Sequence, residues 1–465
     1  MKNVIIMITC TFLLMLLSCK KYLDQKPNLQ LVVPSTLADC QALLDDYNTM
    51  NTNYPDHGEV SADNYYFTDA TFNSLASSPE DQDAYIWAAT GQHTNQYLNC
   101  YKVIYSANLV LQVLEKFSDS DPNYNTLKGS ALFFRAYSTF QVAQLFAKPY
   151  NAGTANTDLG IPLRSSPNLD EKSKRGTLQE TYNRILEDLI NASSLLPTSS
   201  SIPTRPNKAA AYAALSRTYL AMEDYNNAAK MASECLKLYN ALINYNLSSD
   251  VPTINTVGSA PTGPTFTRFN SEVIFHSVTI SGSLSQSQAK IDPLLYDSYS
   301  IDDNRKTVFF QANEADEIGT FAFRGSYDGS TTSQLFNGIS TNEVYLCRAE
   351  SLARTGNVNA AMDDLNTLLR NRYVNTPSNP FIDRTATNAI DALDQILAER
   401  RKELIFRGLR WMDLRRLNRD SRYSKTLRRN LNTFKYTPLQ PNDLRYAMLI
   451  PLQVINTSGI QQNER

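Results

Sequence analysis

The chain has 465 residues, 42% hydrophobic and 19% charged, and its 44 basic and 46 acidic side chains leave a net charge of −2. That balance gives no electrostatic reason for binding nucleic acid or another polyanion, while the length and apolar content suffice for one large domain or a few ordinary ones. Six widely separated cysteines and three histidines, none in ligand spacing, form neither a metal motif nor a dense disulfide framework.

The first eighteen residues, "MKNVIIMITCTFLLMLLS", carry one charge, Lys2, and an apolar run from Val4 to Leu17. A membrane-spanning helix needs about twenty such residues, so the run reads as an export signal. It ends in Leu16-Leu17-Ser18-Cys19, which resembles the bacterial lipobox, in which the cysteine is acylated and becomes the mature N-terminus. Buried acyl methylenes, worth about 0.8 kcal/mol each, would then anchor the protein to a membrane without spanning it. Removal of residues 1–18 takes away only Lys2 and leaves a net charge of −3.

A polar tether, residues 19–34, leads to Thr36-Leu37-Ala38-Asp39, a capping-box-like helix start. Residues 51–83, rich in Asn, Asp, Ser, Tyr and Thr, show little periodicity and predict an exposed irregular segment. Helical spacing returns at Tyr97, Tyr101, Ile104, Leu111 and Leu114, with Asn108 among them, and "LKGSALFFRAYSTFQVAQLFA" predicts the next helix. Leu178, Tyr182, Ile185, Leu189, Ala192 and Leu196 then form one narrow stripe, capped by Thr177 with Glu180 and stopped by Pro197. Residues 215–236 align without gaps on 347–368, each a helix, a short polar turn and a second helix bearing small residues. This repeat resembles degenerate tetratricopeptide pairs. Between the copies, residues 241–340 predict long loops with minor strands such as Glu272–His276.

Catalytic signatures are missing: there is no HExxH, GxSxG, P-loop or GxGxxG after a strand. "DSDPNYN" (119–125) alternates Asp and Asn but lacks the glycine and glutamate of a calcium loop, and predicts a turn. The 26 tyrosines are more informative. Tyr65, Tyr66, Trp87, Tyr296 and Tyr299 lie in or beside the irregular segments, where aromatic faces with Asn and Asp neighbours suit stacking on sugars or peptide side chains. These five are the candidate ligand-binding residues. The segment "ERRKELIFRGLRWMDLRRLNR" (399–419) looks basic, but Leu404, Ile405, Phe406, Leu409, Trp411, Met412 and Leu414 cover nearly every direction of a helix. This predicts a buried helix over about 391–417, with Glu403–Arg407 and Arg410–Asp413 pairing along it and Gly408 admitting a close neighbour.

The acylated "CKKYLDQKP", "RAYSTFQVAQLFAKPY" (135–150) with "GIPL" (160–163), "EVYLCRAESLARTGN" (343–357), "ERRKELIFRGLRWMDLRRL" (399–417) and "LIPLQVINTSGIQQN" (449–463) together resemble the SusD/RagB family. The resemblance implies an all-α fold of scattered tetratricopeptide-like helix pairs with a large irregular, loop-rich ligand-binding portion and minor β-strands. On this chain the domain would span 35–465, with helices at about 97–117, 128–147, 177–196, 207–240 and 343–372 and the irregular portion at about 50–90 and 241–340. It also implies an outer-membrane lipoprotein, lipidated at Cys19 and exposed at the cell surface. Such a protein captures an oligomeric nutrient, glycan or peptide, for a SusC-like TonB-dependent transporter, without cofactor, metal or bond cleavage. Three departures are visible: Lys20 and Lys21 are basic where the family is often acidic, Arg407 replaces an acidic residue before Gly408, and two tryptophans are few for a carbohydrate binder. The alternatives are a surface lipoprotein hydrolase acting on glycans and a tetratricopeptide scaffold that binds another protein.

Overall fold

Thr36 opens the first helix, α1 (Leu37–Leu44): its hydroxyl accepts from the Asp39 N–H at 3.1 Å, and the Asp39 carboxylate accepts from the Thr36 N–H at 3.0 Å. This is the expected capping box, in a computed structural model that describes residues 34–52, 54–247, 249–251, 264–314, 317–329 and 334–465. The export signal, Cys19 and nearly all of the tether lie outside the described residues.

The helices of eight residues or more that follow are α2 (Pro79–Ile86), α3 (Thr94–Leu114), α4 (Tyr124–Phe146), α5 (Leu178–Leu195), α6 (Lys208–Ala221) and α7 (Tyr225–Leu238). They continue with α8 (Thr341–Arg354), α9 (Val358–Leu369), α10 (Ala389–Glu403) and α11 (Arg410–Leu417). From α3 to α8 each packs on its predecessor in this order, and α8 then receives α9 and α10. The stripe read from the sequence is the buried face of α5: Leu178, Tyr182, Ile185, Leu189, Ala192 and Leu196 are all enclosed. Helix α4 is enclosed on almost every side, so its one arginine needs internal partners. Arg135 donates to Asp188 of α5 through two bonds of 2.7 Å and to Asn108 of α3 at 2.9 Å, which accounts for Asn108 on an otherwise apolar face.

The internal repeat forms two helix pairs, α6–α7 and α8–α9, whose turns are tightened by left-handed residues, Glu223 (φ 62°) and Gly356 (φ 85°). These turn residues correspond, so the gapless alignment is one residue out of the structural register. Small residues admit the close approach, with Ala228, Ala232 and Ala361 fully buried.

Among the described residues, strand structure consists of five two-stranded antiparallel ladders, four of them in the irregular portion: 65–66 with 290–291, 273–275 with 339–340, 278–280 with 334–336, and 310–312 with 321–323. They enclose a second hydrophobic core, rich in aromatics, that includes Phe67, Phe72, Tyr85, Tyr245, Phe309, Tyr327 and Phe336. The expectation of an exposed segment at 51–83 is therefore corrected: Val60, Tyr65, Phe67 and Phe72 are buried there, because apolar residues without periodicity can still fill a core when the chain folds back irregularly.

A second correction concerns residues 391–417, which form two helices and not one. Phe406 (φ 55°) and Gly408 (φ 72°) adopt left-handed backbone, which ends α10 and starts α11 in a new direction. Burial is as read from the sequence, since all seven apolar residues from Leu404 to Leu414 are enclosed. The turn divides them: Leu404, Leu409 and Trp411 enter the helical core, while Ile405 and Phe406 enter the second core. Neither expected pair, Glu403–Arg407 or Arg410–Asp413, forms; the charges pair mostly across the fold, with Glu399–Lys402 and Asp413–Arg416 as pairs within a helix. Arg410 bonds Asp63 at 2.6 Å, Asp413 pairs with Arg400 and Arg416, and Arg407 stacks 3.5 Å from the Tyr327 ring centre. The architecture is all-α, with scattered tetratricopeptide-like pairs, a large irregular portion and minor strands.

Candidate ligand-binding site

The two irregular segments meet the first turns of α3 at a cleft of about 420 Å³, lined by Tyr54, Asp56, His57, Ser78, Glu80, Asp81, Asn95, Gln96, Asn99, Ile280 and Gly282, with Pro79. Helix spacing puts Asn95, Gln96 and Asn99 on one exposed end of α3, and the strand 278–280 brings Ile280 to the opposite wall. Gln96 ties the walls together: its Oε1 accepts from the N–H groups of Asp56 (2.8 Å) and His57 (3.1 Å), and its Nε2 donates to Asp56 Oδ1 at 2.7 Å. Glu80 accepts the Thr94 N–H on both carboxylate oxygens at 3.2 Å, and so satisfies an orphan donor at the α3 N-terminus.

In the cleft wall, His57 bridges Asp81 (Nε2 to Oδ1, 3.0 Å) and the buried His93 (Nδ1 to Nδ1, 2.8 Å). Burial alone would depress the His57 pKa, but the Asp81 hydrogen bond and the charges of Asp56, Asp81 and Glu80 outweigh it and raise it above the ordinary value. Burial, with His57 and Arg465 nearby, pushes His93 well below the histidine range. The two opposite shifts favour His57 over His93 as the ring that holds a proton, with Asp81 as its carboxylate partner. Asp56 is raised, chiefly by burial. The described hydrogen bonds use only Asp81 Oδ1, so Oδ2 is left to accept from a bound molecule. Amides and carboxylates fixed in this way suit the hydroxyl groups of a sugar.

A larger cleft, about 650 Å³, lies further along α3 between Tyr97, Tyr101, Ile104 and Tyr105, the segment 164–173 and the short helix Leu452–Ser458. Arg164 closes that segment on itself by donating to the carbonyls of Asn168 and Glu171.

The five candidate residues fall outside both clefts. Tyr65 is buried, its hydroxyl donating to the Val60 carbonyl at 2.7 Å. Trp87 is 4% exposed, donates through Nε1 to the Ser61 carbonyl at 3.0 Å and lies under the Arg429 guanidinium, 4.5 Å away. Tyr299 is fully enclosed and donates to the Lys402 carbonyl at 2.8 Å. With no free ring face, these three take packing roles in place of the expected ligand contact. Tyr66, paired with Lys290, and Tyr296 keep partly open surface. Tyr296 stacks on Phe321 with ring centres 3.6 Å apart and planes 13° apart, and Lys306 Nζ lies 4.7 Å from its centre. The structure does not bring the five together. Sequence reading passed over His57, Asp81, Gln96 and Asn99, because histidines 36 residues apart carry no spacing signal.

Among the described residues no group of His, Cys, Asp and Glu could hold a metal ion, and no helix is long and apolar enough to cross a membrane.

Two family models match this chain. Residues 21–220 match one described as starch-binding associating with outer membrane, and residues 302–455 match the SusD family. No curated protein matches it. Among solved structures, a SusD superfamily protein from Bacteroides thetaiotaomicron is 22% identical, covering 92% of this chain and 100% of its own with a TM-score of 0.73. One from Bacteroides vulgatus is 19% identical, covering 92% and 99%, with a TM-score of 0.72. A laminarin binding SusD-like protein is 18% identical, covering 92% and 98%, with a TM-score of 0.63. At these identities the likeness concerns the fold. With both ends of the helical frame and the buried signature segment matched, the chain belongs to the SusD/RagB family.

Proposed function

We propose that this protein is a non-enzymatic surface lipoprotein, acylated at Cys19, that captures an oligomeric glycan in the cleft between Asp56, Asp81, Asn99 and Ile280 and delivers it to a SusC-like TonB-dependent transporter in the outer membrane. The observation that carries this reading is the match of residues 21–220 to the starch-binding, outer-membrane-associated family model, because that span contains all of the cleft except Ile280 and Gly282. The fold shared with a laminarin binding protein supports a glycan over a peptide. Tyr66 and Tyr296 are proposed to extend the ligand surface as partly open aromatic faces.

Mechanistically, the amides and Asp81 Oδ2 exchange hydrogen bonds with water for hydrogen bonds with sugar hydroxyls. Each exchange is worth little alone, so affinity depends on several being made by a pre-arranged site. The helical frame would carry the loaded cleft to the transporter.

Isothermal titration with malto-, laminari- and chito-oligosaccharides tests the binding. Asp81→Asn combined with Asn99→Ala is expected to weaken the bound member at least about tenfold, the scale of one charge-assisted hydrogen bond. Unchanged affinity in that variant would remove the cleft from consideration. Detergent extraction should co-purify a TonB-dependent barrel, and a solitary lipoprotein would contradict the delivery step.

A further inference from the structure

Among the described residues three carboxyl groups, those of Asp56, Glu80 and Asp81, line the cleft, and no lysine or arginine does. Lys102 donates to Asn99 Oδ1 at 3.3 Å but is not part of the lining. His57 also lines the cleft, but both of its ring nitrogens are engaged, Nε2 by Asp81 and Nδ1 by His93, so neither is left for a ligand. A helix N-terminus would normally draw an anion to Asn95 and Gln96. Here Glu80 already supplies that anion, with both oxygens on the Thr94 N–H at 3.2 Å. A negative group entering the cleft would therefore find, among the described residues, no unmatched positive charge and two neighbouring carboxylates, Glu80 and Asp81.

We infer that the cleft selects glycans by charge: it takes uncharged or amino-bearing sugars and rejects chains that carry uronate or sulfate. This rests on the proposed glycan-binding function and narrows its ligand class. A hydroxyl or an ammonium can donate to Asp81 Oδ2, whereas a carboxylate brought there is acceptor against acceptor and like charge against like. Like-charge juxtaposition across an interface is one of the stronger ways of rejecting a wrong partner. The amino-bearing form should bind best, because it pairs with a carboxylate whose other oxygen is already held in place by His57.

The test takes whichever of the malto-, laminari- and chito-oligosaccharides binds the full-length protein and compares it with its C6-oxidised and amine-bearing derivatives by calorimetry. The oxidised form is expected to bind at least about tenfold more weakly than the uncharged parent, and the amine-bearing form at least as tightly. Raising salt from about 0.01 to about 1 M, over which the screening length falls from about 30 Å to about 3 Å, should narrow that gap in the unaltered protein. Glu80→Gln with Asp81→Asn should narrow it too, and the salt series stands by itself if that variant does not fold. An oxidised form that binds as tightly as its parent overturns the charge selection and leaves the glycan-binding function standing. Failure of every oligosaccharide to bind overturns that function and this inference with it.

Discussion

Glu403 accepts a hydrogen bond from Arg372 at 2.9 Å, and neither side chain has any exposed surface. Glu403 also accepts from Arg305 at 3.0 Å and Asn342 at 2.8 Å, Arg372 reaches Glu272 at 2.5 Å, and Arg305 pairs with Asp303 and Glu399. Glu272, Asp303 and Arg305 belong to the irregular portion; Arg372, Glu399 and Glu403 belong to the helical frame. The network clamps the irregular portion to the helical frame. Removing the Glu403 charge takes one carboxylate from each of two buried guanidinium groups, leaving Glu272 for Arg372 and Asp303 and Glu399 for Arg305, and breaking a buried pair from one side costs about 3–5 kcal/mol. Glu403→Gln should lower the unfolding free energy by that amount in urea denaturation; a loss below about 1 kcal/mol would show that the clamp is not energetically important.

The same network predicts acid sensitivity. Burial would raise the Glu399 pKa, but Arg305, Lys402 and Arg384 overcome it and hold the group at about 2, against 4.5 when unfolded. A depressed carboxylate contributes its stability above the unfolded value and loses it as pH falls through the folded one. Stability should therefore drop by roughly 3 kcal/mol between about pH 4.5 and about pH 2. Glu399→Gln should flatten the curve of melting temperature against pH across that window, and an unchanged slope would refute the assignment.

Glu59 acts in the opposite sense. Burial raises its pKa to about 7, with Asp63 adding to the effect, although Asn64, the Gly408 N–H and Arg410 oppose it. The folded state keeps a proton that the unfolded state has released, so this group's contribution to stability falls as pH rises from about 4.5 to about 7. Glu59→Gln keeps an acceptor for the Gly408 N–H, bonded at 3.1 Å, and removes the titration. The melting temperature of the variant minus that of the parent should increase from pH 5 to pH 8, read by scanning calorimetry.

Trp87 and Asn99 should separate stability from binding. Trp87→Ala empties a buried site under Arg429 and should cost about 3–5 kcal/mol while leaving glycan affinity unchanged in the folded fraction. Asn99→Ala removes an amide from the cleft wall on a helix face, where alanine is well tolerated, and should weaken binding while moving stability by less than about 0.5 kcal/mol. The reverse pattern in urea denaturation and calorimetry would return Trp87 to the ligand surface.

These contrasts mark what was legible in the sequence. The α5 stripe and both capping boxes were readable because their determinants lie within four residues of one another. Burial of the signature segment was readable too, since apolar residues cover every direction. Its break at Phe406 was not: periodicity records which residues are apolar, and a left-handed phenylalanine held by packing leaves no trace in the pattern. The charge partners were equally hidden, since Arg410 meets Asp63 and Arg416 meets Glu350 across long stretches of chain. Aromatic content pointed to the irregular portion, but a tyrosine that fills a core and one that faces a ligand look alike until burial is known, as Tyr299 and Tyr296 show. The cleft needed the fold, because His57, Asp81, His93 and Ile280 converge only when distant segments are paired.

The two cores also differ in when they can form. From α3 to α7 each helix packs on the next in the chain, so that block can assemble from contacts between sequence neighbours. The aromatic core draws together residues near 60–85, 245–336 and 405–406. Its ladder from Tyr65–Tyr66 to Lys290–Ile291 closes a loop of more than two hundred residues, and contacts of such separation form late. The irregular portion should therefore remain open until Phe406 has arrived. A chain halted before that point would expose a band of tyrosine and phenylalanine, the kind of surface that chaperones and proteases find.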